Sequence, residues 1–156
     1  MRNAAEGTRI VLPSPNGSEL TVEAQALGRI VLTGCFRNCW AVAKYAAGLG
    51  KSIAVIPAGE RWPDGTLRPA VEDLAAAGAI IANLPGSLSP ESSAAVAVWS
   101  DVKNRVGTFL ASCASGRELS ERNFQEDVQI AAEADISTAV PLFHEGAYVG
   151  AERVPK

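Results

Sequence analysis

Three times in this chain an apolar run of β-type residues ends in a short turn of glycine and small polar residues, then passes into a helical pattern. The runs are Arg9-Ile10-Val11-Leu12, Arg29-Ile30-Val31-Leu32-Thr33 and Ser52-Ile53-Ala54-Val55-Ile56. Their exits are Ser14-Pro15-Asn16-Gly17-Ser18, Gly34-Cys35-Phe36-Arg37-Asn38 and Ala58-Gly59-Glu60-Arg61. Strands alternating with helices predict an α/β fold, because parallel strands need a crossover, usually a helix, to bring the chain back. The expected architecture is a three-layer α/β/α arrangement with a mostly parallel sheet. The third run is continuously apolar, as suits a strand covered on both faces. Open α/β sheets bind ligands just beyond the carboxyl ends of their strands. Helix N-termini there offer free N–H groups to an anion. The three exits therefore predict a small-molecule site.

The helical segments follow from spacing. A short helix is predicted to start at Gly17 or Ser18, with Leu20, Ala24 and Leu27 on one stripe. Residues 38–49 place Ala41, Val42, Tyr45, Ala46 and Leu49 on one face, and Gly48 and Gly50 end that helix. Residues 69–84 carry two apolar stripes, Val71-Leu74-Ala75-Gly78-Ile81 and Ala77-Ile80-Leu84, so this helix is expected to be largely buried. Pro90 opens another helix to about residue 102, with Ser89 as its N-cap. Residues 106–111 fit either a strand or a continuing helix. Short helices are expected at 115–123 and 124–134. The tail, with runs at 138–143 and 147–151 around Glu145-Gly146, predicts a strand or hairpin.

A chain of 156 residues is expected to form a single α/β domain with a real core. Its 47% hydrophobic and 20% charged residues are ordinary for a globular protein, and a net charge of −3 with no basic run argues against a nucleic-acid partner. No stretch approaches the roughly 18 apolar residues that span a bilayer. The first seven residues, Met1 to Gly7, lack the apolar core of a secretory signal. Cys35, Cys39 and Cys113 are an odd set in mostly apolar surroundings, as expected of reduced thiols in the cytoplasm. A zinc site is disfavoured, since no histidine or second cysteine pair accompanies them. There is no Walker A or GxGxxG sequence and no G-x-S-x-G elbow to serve the lone His144.

Several residues have both a structural and a chemical reading. Asn16-Gly17 suits a turn after a strand, with Pro13 and Pro15 stiffening it; with Ser18 it also suits a nest for an anion. Gly34 permits a sharp exit and Asn38 caps a helix, yet the same turn offers N–H groups and Arg37 as a forked donor. Gly59, Glu60 and Arg61, followed by Arg68 and the adjacent acids Glu72 and Asp73, form the richest stretch. Glu72 and Asp73 suit the first turn of a helix, where the dipole favours carboxylates. Asp73, however, shares a face with Ala77, Ile80 and Leu84. A carboxylate at the mouth of a buried helix wants a partner: an arginine, a bound Mg²⁺ or a backbone cap.

In order, these pieces resemble the 2-phosphosulfolactate phosphatase family. The series runs Asn16-Gly17-Ser18, Gly34-Cys35-Phe36-Arg37-Asn38, Ala58-Gly59-Glu60, Glu72-Asp73, Ala77-Gly78-Ala79, Gly116-Arg117-Glu118-Leu119, Glu126-Asp127 and Val140-Pro141. The resemblance implies Mg²⁺-dependent hydrolysis of a small, multiply anionic phosphate ester, and an association with coenzyme M biosynthesis. It implies that Asn16, Gly17, Ser18, Gly34 and Asn38 line the anion pocket, while Glu72 and Asp73 hold the metal or act as base. Arg37, Gly59, Glu60 and Arg61 complete the expected binding set. Members of the family carry a further N-terminal portion before the Asn-Gly loop. The chain is therefore expected to be a C-terminal fragment of a larger phosphatase, or alternatively a non-catalytic anion-binding or assembly domain derived from it. A sheet edge left exposed there would favour a homodimer.

Overall fold

The computed structural model describes residues 4, 5, 7–12, 15–50 and 52–153. Met1, Arg2, Asn3 and Glu6 of the N-terminal segment, and Pro13 and Ser14 of the first exit, lie outside the described residues. Seven α-helices occur among those described: α1 (Pro15–Ala26), α2 (Cys39–Ala47), α3 (Val71–Ile81), α4 (Pro90–Val102), α5 (Val106–Ser112), α6 (Ala114–Glu121) and α7 (Gln125–Ala131). Two antiparallel pairs join them, β1 (Glu60–Arg61) with β2 (Leu67–Arg68) and β3 (Pro141–His144) with β4 (Ala147–Gly150). The class is mixed α/β.

Local chemistry accounts for most of the helices. Ser89 caps α4, its Oγ accepting the Ser92 N–H at 3.2 Å, with Pro90 in the first turn. Residues 106–111, undecided from the sequence, are helical because Val106, Phe109 and Leu110 recur at helical spacing and are all buried. The predicted tail hairpin forms. Its turn residues Glu145 and Gly146 have φ of 47° and 81°, the paired positive values that a tight two-residue hairpin turn demands.

The core is built around α3, where Ala75, Ala77, Gly78, Ala79, Ile80 and Ile81 are buried. Helix α2 and a 3₁₀ turn at Phe36–Asn38 supply Cys39, Ala43 and Phe36, and the C-terminal helices supply Val106, Phe109, Leu110 and Val128. Phe36 and Trp99 meet with ring centroids 5.5 Å apart. On the α4 side the approach is so close that a Cβ on Gly78 would lie 2.1 Å from the Ala95 carbonyl oxygen.

The three β-type runs depart from expectation. Only the second is paired: Leu32 bridges Leu142 in antiparallel sense, Thr33 N–H donates to the Pro141 carbonyl at 3.1 Å, and Phe143 N–H donates to the Val31 carbonyl at 2.9 Å. Residues 9–12 and 52–57 make no backbone hydrogen bond to other described residues. Among the described residues the ladders are thus antiparallel, and the mostly parallel three-layer sheet is not seen. The physical reason is the lack of a neighbouring strand among the described residues, without which N–H and C=O groups find no ladder partner there and the run stays irregular. Burial follows suit: Val11 is 91% exposed and Ile56 59%, and in the third run only Val55 is partly buried, so the run is not covered on both faces.

Gly78→Ala is expected to destabilise the chain by about 1–3 kcal/mol or more, because the added methyl meets rigid backbone. Gly107→Ala, whose methyl would meet only Ala132 Cβ at 3.9 Å, should be neutral or slightly stabilising. Chemical unfolding of the two variants beside the parent checks the contrast.

Candidate active site at the mouth of helix α3

The first turn of α3 presents Glu72 and Asp73. Asp73 Oδ2 accepts the backbone N–H of Gly59 at 2.7 Å, which ties the helix to the segment leading into β1. Gly59 has φ +69°, a conformation that side chains resist, and a Cβ there would sit 2.8 Å from Leu67 Cδ1. Asp73 is half-buried, and burial pushes its carboxyl above the ordinary range. The Glu72 and Glu60 carboxylates push it the same way, while the Gly59 N–H works against the shift.

Two depressions flank the β1–β2 hairpin. The smaller, about 230 Å³, includes Asn16, Glu19, Glu23, Glu60 and Arg61 in its lining. Asn16 Nδ2 donates to Glu60 Oε2 at 2.9 Å, and Asn16 Oδ1 is buried without a partner among the described residues. Arg61 is paired with Glu19 and also donates from Nη1 to the Gly65 carbonyl at 3.1 Å. The larger, about 450 Å³, is lined in part by Pro57, Gly59, Arg68, Val71, Glu72 and Ser115. Arg68 donates to both Glu118 carboxylate oxygens, at 2.6 and 3.3 Å, and lies 5.6 Å from the Trp62 ring centroid. That pairing raises the Arg68 pKa and lowers that of Glu118. Next to this depression the Cys113 thiol is pushed up to about 11, by burial first and by the neighbouring Glu72 carboxylate second.

The sequence-predicted residues divide into two groups. Asn16, Gly59, Glu60, Arg61, Glu72 and Asp73 gather around the hairpin. Gly17 and Ser18 occupy the first turn of α1, where the Gly17 carbonyl accepts the Thr21 hydroxyl at 2.7 Å. Tyr148 OH lies 2.7 Å from the same hydroxyl, so α1 is fastened to β4. Arg37 and Asn38 instead serve the junction between the 3₁₀ turn and the C-terminal segment, while Gly34 sits against Ile80 and Val42, where a Cβ would lie 2.8 Å from Ile80 Cδ1. Arg37 Nη1 donates to the Ile130 carbonyl at 2.6 Å and pairs with Glu133. Asn38, 6% exposed, accepts Cys35 N–H at 2.8 Å and donates to the Ala139 carbonyl at 2.9 Å. Asp135 Oδ1 completes this junction, accepting Cys39 Sγ at 3.0 Å and Trp40 N–H at 2.8 Å. Burial, and then Asp135, push the Cys39 thiol up to about 12, so it stays protonated. Spacing alone does not pair Arg68 with Glu118 beside Trp62; the sequence signals are Arg68 ahead of Glu72-Asp73 and Glu118 within Gly116-Arg117-Glu118-Leu119.

Acids on a buried helix mouth, with arginines and glycine turns, surround two open depressions. The chain belongs to the 2-phosphosulpholactate phosphatase family, whose profile matches residues 1–146. A relative, the 2-phosphosulfolactate phosphatase of Methanothermobacter thermautotrophicus, is 29% identical over 140 residues. The match covers 90% of this chain and 58% of that protein, so this chain spans little more than half the relative's length.

The raised Asp73 carboxyl has a thermodynamic consequence. At low pH the proton is bound in folded and unfolded states alike, and Asp73 carries no penalty. As pH rises from the unfolded carboxyl range through the folded value, the native state must ionise a half-buried group among other acids, and stability falls. Asp73→Asn keeps an acceptor for Gly59 N–H and removes that charge. Its melting temperature is expected to fall less than the parent's between about pH 4 and about pH 7, as read by thermal unfolding across that range.

Proposed function

We propose that this chain carries a phosphatase site for a small, multiply anionic phosphate ester of the 2-phosphosulfolactate type. The observation that carries this reading is the family match over residues 1–146. The site chemistry supports it. Hydrolysis needs a water deprotonated as it attacks phosphorus, and a carboxyl raised above its usual range takes that proton more readily than an ordinary carboxylate. Asp73 is the base in this reading. Arg68 supplies a forked donor for the phosphate and Arg61 one for a second anionic group, and the first turn of α1 adds N–H groups at Asn16 and Gly17.

A divalent cation fits the charge balance. Glu60 and Glu72 stand close enough to Asp73 to raise its carboxyl, and Asn16 Oδ1 is a buried carbonyl oxygen wanting a donor or a cation. Among the described residues no three acidic, cysteine or histidine side chains form a cluster that could hold a metal. Magnesium, though, is usually bound through one or two carboxylates together with waters and substrate phosphate. Glu72 would hold Mg²⁺ in this reading while Asp73 acts as base, and the ion would neutralise charge on the phosphate oxygens. Free thiols at Cys35, Cys39 and Cys113 suit a reducing compartment such as the cytoplasm. Among the described residues no helix is long and apolar enough to cross a membrane.

The test is phosphate release from a panel of sulfonated and carboxylated phosphate esters, with and without Mg²⁺. Turnover is expected to require Mg²⁺ and to be abolished by EDTA. Asp73→Asn should lower kcat by about 100-fold or more and Glu72→Gln should weaken Mg²⁺ activation, whereas Glu121→Gln on the exposed side of α6 should leave rates unchanged. Parent-like rates in both site variants would remove these roles, and no release from any ester would remove the phosphatase reading for this chain.

A further inference from the structure

Hydroxyls on α5 and α6 are spent locally, with one exception, and that one lines the larger depression. Thr108 donates to the Arg105 carbonyl at 3.0 Å, Ser112 to the Phe109 carbonyl at 2.8 Å and Ser120 to the Gly116 carbonyl at 2.9 Å. Each reaches a carbonyl three or four residues back, as helical hydroxyls commonly do. The Ser115 hydroxyl makes no hydrogen bond to another described residue. The residues three and four before it belong to α5, beyond the extended Cys113 at φ −64° and ψ 158°, so no carbonyl of its own helix stands one turn back. Ser115 is nonetheless fixed in place. Gly116 beside it is buried, and a Cβ there would fall 1.8 Å from the Leu110 carbonyl oxygen, so the first turn of α6 is pressed against the end of α5. Three positions on from Ser115, Glu118 accepts from Arg68, and residues at that spacing are neighbours on a helix surface. The guanidinium thus lies alongside the part of α6 that carries Ser115, and both residues line the depression of about 450 Å³ together with Glu72. Among the described residues, Glu118 takes only two of the five N–H groups of Arg68.

We propose that Ser115 is a binding residue of the phosphate seat: its hydroxyl donates to one oxygen of the phosphate group while Arg68 donates to another. The assignment rests on the phosphatase reading above for the placing of phosphate at Arg68, and it adds a second donor, from α6. A phosphate group has three strong acceptor oxygens, enough to take both donors at once. A hydroxyl with no partner in the protein breaks no internal hydrogen bond when it turns to a ligand. Ser115 therefore contributes to affinity and little to stability.

The test titrates inorganic phosphate into the full chain by calorimetry with Mg²⁺ present, for the parent, Ser115→Ala, Ser115→Thr and Ser112→Ala. Ser115→Ala is expected to raise the phosphate Kd roughly tenfold or more, as for loss of a hydrogen bond to a charged group. Its melting temperature without phosphate should match the parent's, which a merely structural serine would not allow. Ser115→Thr keeps the hydroxyl and should restore most of the affinity. Ser112→Ala, whose hydroxyl is committed to the Phe109 carbonyl, should bind as the parent does. Parent-like binding by Ser115→Ala overturns the assignment, as does failure of the parent to bind phosphate. If Ser115→Ala melts below the parent, Ser115→Thr decides alone, and loss of affinity despite its retained hydroxyl overturns the assignment. Turnover is not read. A chain that releases no phosphate from any ester, yet loses phosphate affinity through Ser115→Ala, removes the phosphatase reading and keeps the Ser115 assignment.

Discussion

Helix α3 can be buried on nearly every side only because its residues are small, and above all because Gly78 has no side chain. The missing Cβ lets the α4 backbone at Ala95 come within contact of the α3 backbone. The opposite side receives α2 and the 3₁₀ turn, through Cys39, Ala43 and Phe36. A helix gripped in this way has a fixed N-terminus, and that N-terminus bears Glu72 and Asp73. The Asp73–Gly59 hydrogen bond carries the order outward to the β1–β2 hairpin, and Arg68 carries it on to α6 through Glu118. The site is thus an extension of core packing, and a methyl group at Gly78 or Gly59 would loosen it from either end.

Features set by neighbours in sequence were legible before the structure. Helix α4 with its Ser89 cap, the buried character of α3 and the tail hairpin with its Glu145-Gly146 turn all depend on spacing or on one local side chain. The strand runs were legible only as tendencies. A β-type run becomes a strand when another backbone accepts its hydrogen bonds, and no residue inside 52–57 states whether that partner exists. The candidate site divided along the same line. Gly59, Glu60 and Asp73 lie within one short stretch and converge. Arg37 and Asn38 look like site residues from their exit turn, but their partners Ile130, Glu133 and Ala139 lie over ninety positions away. Local sequence shows that a forked donor is available; it does not show which carbonyl takes it.

The charge around the hairpin limits how a phosphate ester could be accommodated. The smaller depression has three carboxylates, Glu19, Glu23 and Glu60, against Arg61, which already faces Glu19. A phosphate entering it unaccompanied would meet net repulsion, and low-dielectric surroundings near Asp73 would sharpen that repulsion. The larger depression is different, because Arg68 shares its positive charge with a Glu118 side chain that is 48% exposed. Arg68 itself is 15% exposed, and its guanidinium can exchange the more open carboxylate for a more highly charged phosphate. The apolar wall beside it, from Pro57, Leu67 and Val71, would favour the carbon skeleton of a ligand over bulk water. Electrostatics therefore assign different work to the two sides of the hairpin. On the proposed reading the Arg68 side, which Glu72 also lines, suits an anionic group of the ligand together with the cation that balances it, and the acidic Glu60 side does not suit an unaccompanied anion. Asp73, tied to Gly59 at the root of the hairpin, is a group through which the two sides can be coupled.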